Sequence, residues 1–122
     1  MPGVETMLPV LLDRGVNAGR MTLEQLVGLC CENPARTFGL YPRKGTLQVG
    51  GDADIVIVDL EKEDNVDLKN MHDVYAYSAY DGWKIKGWPT MTIVRGSIVM
   101  ENRTITGEAG YGNLIAASRP MV

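Results

Sequence analysis

Residues 33–60, "NPARTFGLYPRKGTLQVGGDADIVIVDL", hold a helix start, a turn, two glycine breaks and an apolar strand in a single run. Asn33 reads as an N-cap and Pro34 as the first helical residue, where a fixed φ and a missing N–H cost little. Gly39 supplies a helix stop. "YPRKG" and "VGGD" are turn chemistry. Ile55, Val56, Ile57 and Val58 follow without a polar break, which predicts a strand covered on both faces. The stretch passes from helical to extended chain, and almost no catalytic side chain lies near it.

Upstream, Val4, Met7, Leu8, Leu11 and Leu12 repeat at the spacing of one helical face. Pro9 fits there only if the helix begins just before it. "DRGVNAGR" reads as a break. In "TLEQLVGLCCE", Thr22 and Gln25 match a capping box, with Leu23, Leu26, Val27, Cys30 and Cys31 forming the apolar stripe. Three short helices are expected before residue 40.

Downstream, residues 61–82 are polar with no clear period. "WKIKGWP" predicts a short strand ending at Pro89. Thr92–Val94 and Ser97–Met100 flank an Arg95-Gly96 turn, and a second turn follows at 101–103, the pattern of a meander. The tail from residue 107 is glycine-rich and is expected to wrap against the fold or hang loose. Helices followed by strands, without strict alternation, predict an α+β chain. Three or four short strands do not close a sandwich by themselves, so the sheet is expected to need partners.

The chain has 122 residues, 45% hydrophobic and 22% charged, with a net charge of −3. That suits one soluble domain and offers no basic footprint for nucleic acid. No apolar run reaches the roughly 20 residues of a membrane span, and the start lacks the pattern of a secretory signal. A cytoplasmic protein that binds neither nucleic acid nor membrane is expected.

Candidate chemistry is sparse. A hydrolytic metal centre needs several converging nitrogen and carboxylate donors. The single histidine, His72 beside Asp73, is read as a surface or structural residue. Asp52 and Asp54 flank Ala53 at a strand mouth, where aspartate commonly bonds turn backbone. Gly50-Gly51-Asp52 precedes a strand and so is no phosphate loop. Cys30 and Cys31 are adjacent, which forbids an ordinary disulfide, and read as small apolar residues. Tyr41, Tyr75, Tyr77, Tyr80, Trp83 and Trp88 read as packing residues, with an aromatic binding surface as the alternative. From its own residues the chain offers no catalytic, cofactor-binding or metal-binding residue.

Asn33-Pro34-Ala35-Arg36, Phe38-Gly39-Leu40, Lys44-Gly45, Gly50 and Ala53-Asp54-Ile55-Val56 together resemble the C-terminal part of the cyclic amidohydrolases, namely dihydropyrimidinases (hydantoinases), dihydroorotases and allantoinases. "GVETMLPVLL", "GWKIKGWP" and "TIVRGSIVMENRTITGEAGYG" extend the resemblance over nearly the whole chain. "GLYPRKG" leans towards hydantoinase, whereas "NPAR" and "GWKIKGWP" sit equally well with dihydroorotase. The resemblance implies the last helices of a (β/α)8 barrel over residues 1–45, the C-terminal strands of a small β-sandwich over 46–106, and a tail over 107–122. It implies a parent enzyme that uses zinc or another divalent metal to hydrolyse cyclic amide C–N bonds. The family's His-x-His pair, bridging lysine, further histidines and catalytic aspartate would all lie upstream of this segment, with Pro2 and Gly3 neighbouring the substrate. An inactive fragment is therefore expected, with a small structural or oligomerisation module as the alternative. The expected partner is the missing N-terminal portion or another copy of the chain.

Overall fold

The computed structural model describes residues 3–72 and 77–117. Pro2, Asp73 and Tyr75 lie outside the described residues. The architecture is α+β: two helical stretches precede a four-stranded antiparallel sheet of order β1-β2-β3-β4. The strands are β1 (Ile55–Asn65), β2 (Lys84–Val94), β3 (Ser97–Glu101) and β4 (Thr104–Ile105).

The first helical stretch is α1 (Val4–Leu11), which widens into a π-helical segment, Leu12–Asn17. Two expectations are corrected here. Pro9 lies inside α1 rather than at its start. "DRGVN" continues the helix instead of breaking it, and the turn comes only after Asn17. The fully buried side of this stretch shares only Leu12 with the apolar stripe. Thr6, Pro9, Leu12 and Gly15 are buried, while Val4 is 94% and Met7 55% exposed. Nothing among the described residues covers that outer face.

The second stretch begins at α2 (Leu23–Val27), passes through a π-helical segment (Gly28–Glu32) and ends in α3 (Asn33–Thr37). The expected capping box is present: the Gln25 N–H donates to Thr22 Oγ1 at 3.2 Å, and the Thr22 N–H to Gln25 Oε1 at 2.8 Å. Asn33, however, is helical at φ −61° and ψ −45° and caps nothing. The second and third expected helices are therefore one. Inside an α-helix, Pro34 would lack a donor and crowd the carbonyl four residues back. The π turn immediately before it loosens that spacing. The stretch ends at Gly39, whose φ of 67° is the left-handed stop its position called for.

The meander is as expected. Arg95-Gly96 and Asn102-Arg103 form its two turns, all four residues at positive φ. The other strand bounds need correction. β1 runs to Asn65, through residues that carry no apolar period. Its charged half is legible instead as cross-strand pairing: Glu63 meets Lys84 and Glu61 meets Lys86, each at 2.5 Å. β2 does not stop at Pro89 but continues to Val94. Pro89 pairs with Val58 beside a register shift, and β3 engages β2 only from Met91 onward. A proline is tolerated where a strand has one partner and an irregular ladder.

A wide bulge sets how the helices meet the sheet. Asp59 pairs with Trp88 and Glu63 with Lys86, so three residues of β1 face Gly87 alone. Asn17, at the end of the π segment, fills the gap: its Nδ2 donates to Leu60 O at 3.1 Å and Lys86 O at 2.8 Å. Asp13 Oδ1 accepts the Lys86 N–H at 3.2 Å. Gly87, at φ 105°, lets Leu12 press close; a Cβ there would sit 2.9 Å from that of Leu12.

Val66, Ile85 and Trp88 form the core below this junction, with Val10, Met71 and Tyr80 packed against it. Trp88 Nε1–H donates to Ile85 O at 3.0 Å, so the indole is buried with its polar atom satisfied. Arg103 closes one side. Its guanidinium lies 4.8 Å from the Trp88 ring centre, pairs with Asp64 at 2.9 Å and reaches Asn70 O at 3.4 Å. These contacts offset the cost of a left-handed arginine at φ 65°.

Beyond the bulge the sheet is poorly covered. The expected two-sided burial of the Ile55–Val58 run is not found: Val56 is 47% and Ile57 46% exposed. They point to opposite faces, because side chains alternate along a strand. Ile98 and Ile105 are exposed as well. Among the described residues, neither face of this apolar run is fully covered.

Candidate functional site

The most connected polar cluster sits at the junction between helices and sheet. The turns after Gly39 bring Lys44 to two carboxylates: it pairs with Asp52 at 2.9 Å and also with Asp54. Arg43 joins Asp52 at 3.0 Å. Asp54 Oδ1 accepts the Arg95 N–H at 2.9 Å, which ties the start of β1 to the β2–β3 turn. Arg95 lies 4.3 Å over the ring of Tyr111, whose hydroxyl meets Ser97 Oγ at 3.0 Å. Four separated segments, including the start of the tail, are thus fastened at one place. Asp52 and Asp54 are brought together as a clasp around a cation, not around a cleft.

Their electrostatics agree. The Lys44 hydrogen bond is the main reason the Asp52 carboxyl lies below its ordinary range. Burial would raise Asp54, but the Lys44 and Arg95 hydrogen bonds outweigh it and bring it down. Burial likewise opposes the charge on Lys44, yet its bonds to Asp54 and Asp52 push it up. A carboxyl depressed by folding stabilises fully above its unfolded value, and that contribution is lost as pH falls through the folded value. A lysine raised by folding behaves oppositely, losing its contribution as pH rises through the folded value. The urea midpoint is therefore expected to hold from roughly pH 5 to 9 and to fall below about pH 4. Asp52→Asn with Asp54→Asn should make that acid limb shallower. An unchanged limb would mean the clasp is not what acid breaks.

His72 is bonded elsewhere, to Glu5. Its backbone N–H donates to Glu5 Oε2 at 2.9 Å, and its Nδ1 lies 3.1 Å from Glu5 Oε1. It binds the loop after β1 to the start of α1, the structural role read from the sequence. An open cavity of about 490 Å³ beside it is lined by Lys69, Asn102 and Arg103 among others. Arg103 is already committed to Asp64 and Trp88. Cys30 and Cys31 are free thiols on the π segment of the second stretch; burial, with the neighbouring Cys30, raises the Cys31 thiol.

The described aromatic residues do not converge on one surface. Trp88 is core. Tyr80 and Trp83 meet edge-to-face at 5.2 Å, with Arg14 over Trp83. Tyr41 lies under Arg36 at 3.6 Å. Sequence reasoning missed Asp13 and Asn17, whose spacing of four around Gly15 was the available signal.

Among the described residues, no three His, Cys, Asp or Glu side chains come together to hold a metal ion. His72 with Glu5 is a pair, and a zinc site uses about four donors. The residues described do not fit the metal that the resemblance implies. No described helix is long and apolar enough to cross a membrane.

Comparison with known proteins agrees with this architecture. The model of the Amidohydrolase family matches residues 3–99. An L-hydantoinase of Paenarthrobacter aurescens is 47% identical over 113 residues, covering 93% of this chain and 25% of the relative. A D-hydantoinase of Ralstonia pickettii is 41% identical, with the same coverage of 93% and 25%. Among solved structures, an L-hydantoinase (dihydropyrimidinase) from Arthrobacter aurescens superimposes with a TM-score of 0.89 at 48% identity, over 91% of this chain and 25% of that one. A D-hydantoinase (dihydropyrimidinase) from Thermus sp. gives a TM-score of 0.92 at 33% identity, over 96% and 26%. The chain spans about a quarter of the length of these relatives. With its sequence matched over most of its length and its fold preserved, the chain belongs to the amidohydrolase family.

Proposed function

We propose that this chain is the C-terminal quarter of a hydantoinase- or dihydropyrimidinase-type amidohydrolase, and that its own work is structural. The parent enzyme would hydrolyse a cyclic amide C–N bond with metal-activated hydroxide. Its barrel and metal centre would lie in the preceding part of the chain. The helices described here would close that barrel, and β1 to β4 would complete a sandwich. The observation that carries this reading is the pairing of a match over 93% of this chain with the lack, among its described residues, of a converging donor set. The uncovered faces around Val56 and Ile57 support the same reading, since a second layer from the preceding part of the chain would cover them.

The purified chain, supplied with zinc, is expected to turn over neither hydantoin nor dihydrouracil. Co-expression with the preceding three-quarters of a hydantoinase is expected to yield metal-dependent activity. Turnover by the isolated chain that a chelator abolishes would overturn the proposal.

A second reading is favoured by the same uncovered faces: a non-catalytic module that associates with copies of itself. Isologous pairing through exposed apolar sheet would produce dimers or larger assemblies. Light scattering at micromolar concentration separates the cases, since a folded monomer would exclude this second reading.

A further inference from the structure

We draw no further inference here: the strongest candidate, the uncovered apolar surface on the two faces of the sheet around Val56, Ile57, Ile98 and Ile105, belongs to the reading already proposed, and nothing in the structure shows what else covers it.

Discussion

Gly45→Ala is expected to cost about 2–5 kcal/mol and to lower the urea midpoint accordingly. Two effects combine. Gly45 sits at φ 83°, where a side chain resists the backbone conformation. An added Cβ would also lie 2.5 Å from Ala35 Cβ and 2.7 Å from Cys31 O. The second contact is with helix backbone, which cannot rotate away as a side-chain tip can. The turn would have to lift off the helix, taking Lys44 and its carboxylates with it. Gly50→Ala is the matched control. Its φ is 90°, but nothing lies within 4 Å of the position a Cβ would take. That substitution should show only backbone strain, about 1–2 kcal/mol. Equal losses at the two sites would mean that the close approach of turn to helix contributes nothing.

Trp88→Ala should be at least as damaging, at about 3–5 kcal/mol. Trp88 is 4% exposed and, among the described residues, shares its core cluster with Val66 and Ile85 as buried partners. Removing it opens a cavity, strips the Ile85 carbonyl of its indole donor and leaves the Arg103 guanidinium without a ring beneath it. Domains of this size have about 5–15 kcal/mol in all, so most of the folded population is at stake. Trp88→Phe separates the terms. It keeps an aromatic ring but loses the N–H, and should cost roughly 1–2 kcal/mol. Circular dichroism during urea unfolding reads both variants. A Trp88→Ala protein unfolding near the parent's midpoint would show that stability resides elsewhere.

The parts of this fold that were legible in sequence are those fixed by local chemistry. Thr22 with Gln25, Gly39, and the Arg95-Gly96 turn act through backbone geometry within a few residues. Each appears where it was expected. The misreadings have a different origin, because at each of them a neighbouring irregularity or a long-range contact overrode the local signal. Asn33 and Pro34 imitate a helix start, but the π turn carries the helix through them. "DRGVN" imitates a break, but Asp13 and Asn17 are held helical by bonds to a strand some seventy residues away. Pro89 imitates a strand end, but the neighbouring register shift absorbs it. The candidate site was legible mainly through its chemistry. One histidine gave no basis for a metal centre, and the aspartates at the strand mouth were read as turn-bonding residues. That they would share Lys44 could not be read, because the pairing depends on how the turns of residues 41–54 fold back.

The bulge in β1 also fixes how much an incoming partner can gain from this edge. The N–H groups of Glu61 and Lys62 are already occupied by Asp59 Oδ1, at 2.9 and 3.1 Å. A newcomer zipping along β1 would find open rungs beside Ile55–Val58, a reach of roughly 13 Å, and then a blocked ladder. Any strand added at this edge would thereby gain more from the short apolar stretch than from the acidic half.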